Sequence, residues 1–371
     1  MLPATRTLFV AGDVMTGRGI DQILPHPGRS HLHEPWVRSA REYVELAERA
    51  TGGIPRPVAF DYVWGDALSE LDSLRPHVRL VNLETAVTAS EDAWPHKGIH
   101  YRMHPANVPC LSRARIDCCT LANNHVLDWG YAGLAETLSA LQAAGIRTAG
   151  AGRNAAEAAA PAIIPAGEGS RALVFAFGVQ ESGIPAEWAA SEERAGVNLI
   201  TDRSSRGIDE IARGISSHRR PGDLVIASIH WGGNWGYDVP LRDRELAHRL
   251  IDAAGVHLVH GHSAHHVKAI EVYRGKAILY GCGDLLDDYE GISGNESFRG
   301  DLGLLYFPTL DVERGELSRL VMIPTQLRHF RINRAQPPAA AWLARTLDRE
   351  GVRFRTSVLS QPDGTLELRW A

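Results

Sequence analysis

Six short polar clusters follow apolar, β-prone runs of this 371-residue chain, and they constrain its fold more than any other feature. The clusters are GDVMTGR (12–18), NLE (82–84), NNHVLDWG (123–130), HWGGNWGY (230–237), HGHSAHH (260–266) and GCGDLLDDY (281–289). The runs before them are TLFVA, VRLV, IDCCTLA, LVIASI, VHLV and KAILY. Strands that alternate with helical stretches predict an α/β architecture, in which ligands bind outside the carboxyl ends of the strands. The clusters therefore predict a site along that edge.

Helical spacing of apolar residues predicts helices from Tyr131 to Ala144, from Leu241 to Ala254 and from Ser205 to Ser217. Two segments, Gln22 to Pro57 and Thr88 to Val108, lack clear periodicity, apart from a helical piece around Tyr43 to Ala50. Each follows a strand that carries a cluster, so we expect both to overhang the active edge as loops or lids.

The pattern changes after Gly315, where a strand (Leu317 to Ile323), a basic stretch, a helix (Ala339 to Arg349) and two short strands follow. We predict a main domain over residues 1–325 and a small α/β extension over residues 326–371, packed on the main domain.

Composition narrows the class of protein. Hydrophobic residues make up 44% and charged residues 22%, with a formal net charge of -5, which is typical of a globular protein. The chain has no basic tract for nucleic acid and no apolar stretch long enough for a membrane span. Its apolar N-terminal run leads directly into Asp13, which indicates a core strand rather than a signal peptide. The four cysteines form no CxxC pattern and predict buried, reduced thiols in a cytoplasmic protein.

Each polar residue taken singly has a structural explanation. Asp13 is typical of a Gly-Asp turn, the Asn124–His125 pair of a helix N-cap, and His230 of a core histidine bonded to the backbone. Together, however, two acids, an amide and three imidazoles recur at one structural position, and these are oxygen and nitrogen ligands for a metal. Two carboxylates at that position would repel each other unless a cation lay between them.

The order and content of the clusters resemble the capsule-synthesis CapA family, a branch of the calcineurin-like metallophosphoesterases, over about residues 7 to 325. GDVMTGR is similar to the opening motif of that family, and NLE, NNHVLDWG, HWG and GH-x-x-H follow in its order. The resemblance implies a four-layer α/β/β/α sandwich that holds one or two divalent metal ions (Mn, Fe, Zn, Mg or Ca). Glu84 is implied as a bridging ligand, and His125 as an acid or base oriented by Asp128. The full implied ligand set is Asp13, Glu84, Asn124, His230, His262 and His265.

The later clusters hold more acid and base groups than two metals need. His266 and Asp284 are therefore further candidate catalytic residues, beside His125 and Asp128. Aromatic side chains in loops next to a polar centre either pack in the core or line a pocket for a peptide or other bulky organic substrate. The residues predicted to bind substrate are Arg18, Trp231, Asn234, Trp235 and Tyr237.

Three departures from the family pattern bear on function. Met15 stands where the superfamily usually has a histidine ligand, and Asn234 stands where CapA-like sequences usually have a glutamate. The chain also lacks the membrane anchor that capsule-assembly members generally carry.

Three functions remain open from the sequence. The first is a metal-dependent hydrolase of a phosphoester or of a peptide or γ-glutamyl-type amide, with His125 as general acid. The second is a metal-dependent peptide epimerase, in which paired acid and base residues remove and return a Cα proton. The third is a non-catalytic accessory protein of polyglutamate or capsule assembly. The partner in the first two is a small molecule or a peptide, and neither nucleic acid nor a membrane.

Overall fold

A computed structural model describes residues 4–371. Residues 1–3, with which the predicted main domain begins, lie outside the described residues. The α-helices of the described part are α1 (Arg18–Ile23), α2 (Ala40–Thr51), α3 (Ala67–Leu74), α4 (Pro109–Arg113), α5 (Gly130–Ala143), α6 (Ala155–Ala159), α7 (Ser205–His218), α8 (Leu241–Ala254) and α9 (Pro337–Gly351).

The strands of the first half of the chain are β1 (Thr5–Val14), β2 (Val78–Leu83), β3 (Ala86–Val87), β4 (Arg102–Met103), β5 (Cys118–Thr120), β6 (Arg147–Ala149), β7 (Ala151–Gly152), β8 (Ala162–Pro165), β9 (Arg171–Gly178) and β10 (Gly196–Val197). Those of the second half are β11 (Leu224–His230), β12 (Leu258–His262), β13 (Ile270–Tyr273), β14 (Lys276–Leu279), β15 (Asp284–Leu286), β16 (Leu302–Asp311), β17 (Leu317–Leu327), β18 (Ile332–Arg334), β19 (Thr356–Ser360) and β20 (Leu366–Trp370).

Two large sheets organise these strands, so the predicted mixed α/β class is confirmed. One sheet has ten strands in the order β19-β20-β17-β16-β1-β2-β5-β6, with β15 beside β1 and β18 beside β17. The other has six strands in the order β13-β14-β12-β11-β9-β8. β1, β2, β5 and β6 run parallel, as do β9, β11, β12 and β14. Parallel strands align their carboxyl ends, and each of the six clusters begins at or close to such an end.

Strand β1 is apolar along most of its length because both of its faces are covered. Leu8 and Val10 belong to a core that also contains Val174 and Ile226 of the six-stranded sheet. Residues between them, such as Phe9, join a second core with residues of α1, α2 and α5. Residues of a strand point alternately to opposite faces, so a strand covered on both faces reads as a continuous apolar run. A third core joins the six-stranded sheet to α7 and α8.

The segment between β14 and β15 carries the chain from the six-stranded sheet to the ten-stranded sheet. The backbone N–H of Asp13 donates to the carbonyl of Gly283 at 2.9 Å, and Asp13 pairs in register with Asp284. A Cβ at Gly12 would lie 1.6 Å from the Gly283 oxygen, so only glycine permits this approach. The sixth cluster therefore lies directly beside the first.

The predicted elements agree with the observed ones where apolar periodicity is strong. α8 has the predicted bounds, while α5 begins one residue earlier and α7 ends one residue later than predicted. β17 (Leu317–Leu327) runs across position 325, and β20 pairs with it, so the C-terminal strands continue the ten-stranded sheet. A separate domain over residues 326–371 stays a prediction.

Composition predicted no membrane-spanning segment and buried, reduced cysteines. No helix within residues 4–371 is both long and apolar enough to cross a bilayer. The four cysteines are buried and free of disulfide bonds, as the sequence predicted. Burial raises the pKa of Cys110 to about 12, so its thiol is protonated at neutral pH and unreactive.

Candidate metal centre

Asp13 lies at the centre of the convergent polar groups. It is fully buried at the end of β1. Its Oδ1 accepts a hydrogen bond from Asn82 Nδ2 at 2.7 Å, and its Oδ2 accepts one from the backbone N–H of Ser263 at 3.0 Å. These donors, one from each large sheet, hold the carboxylate in a single orientation. Such fixing of a ligand by neighbouring groups is a usual feature of metal sites.

Two groups of potential ligand atoms meet at Asp13. In one group, atoms of Asp13, His230 and His262 lie within 4.8 Å of one another; in the other, atoms of Asp13, His265 and Asp284 do so. All five residues are buried. The carboxylate common to both groups is Asp13, which gives it the geometry expected of a ligand shared by two ions.

Glu84 lies on the other side of the first group. Its Oε1 is 3.8 Å from Nε2 of both His230 and His125. Its Oε2 is buried and has no hydrogen-bond partner among the described residues. Burial, together with the charges of Asp13 and Asp284, raises the pKa of Glu84 well above its usual range. A buried carboxylate oxygen without a partner is costly, and a cation at this position would satisfy it.

The imidazoles of the first group are neutral. Burial lowers the pKa values of His230 and His262 well below 6.5. His230 Nε2 lies 2.9 Å from Asn124 Oδ1, and its Nδ1 lies 2.8 Å from His262 Nδ1. His262 Nε2 is 2.9 Å from Ser228 Oγ. Neutral imidazole is the form that binds metal, so this part of the site needs no proton release before an ion enters.

In the second group, the His265 imidazole contacts the Asp284 carboxylate. His265 Nδ1 is 3.0 Å from Asp284 Oδ1, and this acid opposes the effect of burial and raises the pKa of His265. Burial and the neighbouring Asp284 raise the pKa of Asp13 to about 7, although its hydrogen bond from Asn82 acts in the opposite direction. Like charges held together in this way favour a cation between them.

His125 belongs to neither group but lies beside them. Its Nδ1 is 2.6 Å from Asp128 Oδ2, and Lys97 Nζ is 2.7 Å from Asp128 Oδ1 and 3.2 Å from His125 Nδ1. Burial lowers the pKa of His125 to about 4; Asp128 opposes this effect and Lys97 adds to it. The ring is therefore neutral at pH 7. With Nδ1 held by Asp128, Nε2 is directed toward Glu84.

A cavity of about 730 Å³ opens beside His265. Arg18, Asn234, Trp235 and Tyr289 contribute to its lining. Its other walls come from helix α2 and the loop before it, and from the irregular segment after β15. The loop before β4 and the end of β17 contribute less. This volume lies within the range of small-molecule pockets.

A profile of the family described as "Bacterial capsule synthesis protein PGA_cap" matches residues 7–289, which is more than half of the chain. The chain belongs to this family. The resemblance to CapA proteins drawn from the six clusters is thereby confirmed.

Three relatives match from three quarters of the chain to almost its whole length. A protein of Mycobacterium tuberculosis named "Probable polyglutamine synthesis accessory protein" is 47% identical over 367 residues, covering 99% of this chain and 96% of that protein. The "PGA biosynthesis protein CapA" of Bacillus subtilis is 26% identical over 279 residues, covering 75% of this chain and 62% of that protein. The "Capsule biosynthesis protein CapA" of Bacillus anthracis is 23% identical over 282 residues, covering 76% and 60%.

Most residues predicted as ligands from the PGA_cap motifs come together in the structure. Asp13, His230, His262 and His265 form the two groups, while Glu84 and Asn124 contact His230. Asp284, predicted as catalytic, belongs to the second group of potential ligands with Asp13 and His265. Met15 is buried, with its Sδ 3.7 Å from the Tyr289 hydroxyl, and supplies no imidazole.

Other residues predicted to act at the site point elsewhere. His266 belongs to neither ligand group; its Nε2 accepts from the Gly236 N–H at 3.1 Å, and its ring stacks on Trp235. Trp231 is buried, with its Nε1 donating to the Tyr280 carbonyl at 3.0 Å, and it does not line the cavity. Both rings pack inside the protein, because each is enclosed by aromatic and backbone atoms.

Two further residues predicted to bind substrate, Arg18 and Tyr237, already contact other side chains of this protein. Arg18 lines the cavity but is paired with Asp288 and Glu34 at 2.5 and 2.9 Å. The Arg349 guanidinium covers the ring of Tyr237 with 4.6 Å to its centroid. The charge of Arg18 is thus already neutralised by the protein, so a substrate anion would compete with two carboxylates.

Sequence motifs gave no indication of Lys97, which lies in the irregular segment 88–108. That segment was expected to overhang the site, and it brings this ammonium to Asp128 and His125. Its only sequence signal is its place in a loop after a strand that carries a cluster. Asn82, within the NLE cluster, was likewise unassigned and fixes Asp13.

Replacing Lys97 with methionine is expected to raise the pKa of His125, by about 1 or more, because a nearby cation disfavours the protonated ring. In the wild type this pKa is about 4, so the variant ring should gain its proton at higher pH. The measurement is a pH titration of the imidazole nitrogens by NMR in chelator-treated protein. Lys268→Met, whose Nζ donates to the Asp238 carbonyl, is the control and should leave His125 unaffected. An unchanged His125 titration in Lys97→Met would contradict the assignment.

Proposed function

We propose that this PGA_cap protein is a divalent-metal-dependent enzyme that hydrolyses a phosphoester or a peptide or γ-glutamyl-type amide. One observation carries the proposal: three buried carboxylates, Asp13, Glu84 and Asp284, converge with three imidazoles. Such a cluster is electrostatically unfavourable by itself and becomes favourable around cations.

The residues that would hold the ions are those of the two groups, with Glu84 and Asn124 beside them. When bound, divalent ions polarise a phosphoryl or carbonyl oxygen and lower the pKa of water. The mixture of carboxylate and imidazole donors favours Mn, Fe or Zn over Mg or Ca, which prefer all-oxygen sites. We assign one or two ions to the site.

His125 is the proton-transfer group of this proposal. Asp128 fixes Nδ1 and leaves Nε2 free toward the reacting groups, which is the arrangement that orients a catalytic imidazole. The neutral ring accepts a proton from water, and the resulting imidazolium, stabilised by Asp128, delivers it to the leaving group. Lys97 limits how long the ring holds that proton, because it disfavours the charged form.

The architecture forms part of the same proposal. The first core lies between the ten-stranded sheet and helices α1, α2 and α5. The second core lies between the two sheets. The third lies between the six-stranded sheet and helices α7 and α8. This order supports the four-layer α/β/β/α sandwich of calcineurin-like metallophosphoesterases, with the site between the two sheets. A cytoplasmic location, suggested by the free cysteines, belongs to the proposal as well.

Hydrolysis is tested by metal reconstitution. Chelator-treated protein is loaded separately with Mn, Fe, Zn, Mg or Ca and assayed against a phosphomonoester, a phosphodiester and a γ-glutamyl amide. We expect release of phosphate, alcohol or amine that depends on the metal and disappears with chelator. Turnover that persists in metal-free protein, or no release with any substrate and metal, would refute hydrolysis.

A second candidate is metal-dependent peptide epimerisation, which one additional observation favours. The Tyr101 hydroxyl donates to the Tyr289 hydroxyl at 2.9 Å, and these rings pack against His125 and His265 respectively. Hydrolysis leaves this hydroxyl pair unused. In epimerisation a Cα–H bond breaks, one side chain takes the proton, and another group returns a proton to the opposite face. Turnover of a peptide in D₂O distinguishes the two: deuterium at Cα without cleavage selects epimerisation.

The name of the mycobacterial relative supports a third candidate, an accessory role in polymer synthesis without catalysis. An Asp13→Asn variant tests it in a cell that depends on the protein for polymer production. Full polymer production with this variant, together with unchanged protein level, would favour the accessory role over both enzymatic proposals.

A further inference from the structure

The cavity beside His265 has an unusually apolar mouth. Residues 4–371 expose eight large hydrophobic side chains, and three of them line this cavity: Trp36, Ile99 and Ile292, at 88%, 43% and 50% exposure. They come from three segments far apart in the chain. Exposed apolar groups that converge on one concave surface mark a ligand site more often than scattered ones do.

Aromatic and aliphatic surface continues inward from this mouth. Trp235 lines the cavity and packs against His265, with ring centroids 5.4 Å apart. Tyr43 and Leu327 contribute to the walls, and Tyr289 lies next to His265. The apolar walls therefore lead from solvent to the second ligand group.

The charges of the cavity oppose a polyanionic ligand. Its lining contains five carboxylates and three guanidiniums. Two of the guanidiniums are already paired: Arg18 with Asp288 and Glu34, and Arg299 with Asp301 at 2.6 Å. Only the exposed Arg328 is left to meet an anion. Apart from these ion pairs, Glu290 and Glu296 line the cavity against Arg328 alone, so a chain of glutamates entering here would face more acid than base at close range.

We propose that this cavity binds a bulky, uncharged apolar group of the substrate, an aromatic or branched aliphatic side chain next to the reacting bond. The inference rests on the proposed function in one respect, because it takes the reacting bond to lie at the His265 end. It specifies the substrate class: a peptide or amide with an apolar residue, rather than a γ-linked polyglutamate.

The test is a binding measurement on metal-free protein, so that it does not depend on turnover. Chelator-treated protein is titrated by calorimetry with N-acetyl-phenylalanine amide and, separately, with tri-γ-glutamate. We expect the apolar probe to bind at least about tenfold more tightly. Its affinity should not fall as salt is raised, because no ion pair forms. Tighter binding of tri-γ-glutamate, or no binding of the apolar probe, would overturn the inference.

Variants at the mouth locate the binding. Trp36→Ala and Ile292→Ala should each weaken the apolar probe by about tenfold, in line with the loss of a large apolar contact. Leu241→Ala is the matched control, since Leu241 is 69% exposed but lies outside the cavity. Equal affinity in all three variants and the wild type would place the probe elsewhere and overturn the inference.

The two proposals fail separately. If the apolar probe binds but no metal-loaded preparation acts on any substrate, the hydrolase proposal fails and the cavity inference stands. If a γ-glutamyl amide is hydrolysed while the apolar probe does not bind, the reverse holds.

Discussion

Glu84→Gln is expected to lose bound divalent metal and, at the same time, to stabilise the metal-free protein. In the wild type, Glu84 is buried near Asp13 and Asp284, and its Oε2 has no hydrogen-bond partner within the described residues. The raised pKa of Glu84 means that the metal-free protein bears the cost of burying this carboxyl group among other acids. A neutral amide avoids that cost, so the free energy of unfolding in chelator should rise by about 1–3 kcal/mol. The same change removes a charge that the ions need. Turnover should fall about a thousandfold, since a catalytic ion contributes several kcal/mol.

The measurements are metal content by elemental analysis, thermal unfolding with and without chelator, and rate. Glu271→Gln is the matched control, because Glu271 is also buried but is paired with Arg244, His248 and Tyr280. It should destabilise the protein and leave metal content unchanged. If Glu84→Gln also destabilises the chelated protein, the carboxylate cluster is not strained without metal and the metal proposal loses its main support.

His125→Ala should keep its metals and lose about 10²–10⁴-fold in rate, the usual contribution of a positioned acid or base. The residue contacts Asp128 and lies beside Glu84 but belongs to neither ligand group. In a hydrolase the loss should shrink for substrates with good leaving groups, which need no proton. In an epimerase there is no leaving group and no such dependence.

Elemental analysis beside turnover of wild type and variant separates a catalytic residue from a ligand. His248→Ala provides the control, since that ring stacks on Tyr273 at 3.7 Å, away from the site, and its loss should not change the rate. Metal loss in proportion to rate loss would show His125 to be a ligand and its assigned role to be wrong.

The sequence predicted that the candidate ligands would lie close together, and the architecture explains why they do. Asp13 and His230 each end a strand of a parallel array, and parallel strands bring such residues to one edge. The resemblance to CapA motifs implied a ligand role for Asp13 and for the histidines of the GH-x-x-H cluster, and the structure brings these residues together. What the sequence could not supply was the relation between the two sheets.

The remaining differences arise from tertiary contacts. Asp13 belongs to both ligand groups, whereas the resemblance implied Glu84 as the bridging ligand. This arrangement depends on how β15 pairs with β1. His265 and His266 are neighbours, yet one ring meets Asp284 and the other a backbone N–H and an aromatic cluster. Consecutive side chains differ in direction, and no local pattern states which one points inward. Lys97 reaches His125 through a loop whose path is set by packing rather than by periodicity.

The close approach of Gly12 and Gly283 also has a consequence for biosynthesis. The backbone N–H that fixes Asp13 Oδ2 belongs to Ser263, which is synthesised 250 residues after Asp13, and Asp284 follows later still. An ion cannot find its complete ligand set on a nascent chain that lacks these residues, and non-local contacts of this length form late in folding. If the site holds metal as proposed, the ion is therefore selected only after Asp284 has been synthesised, and the same polypeptide produced under different metal supply should carry different ions.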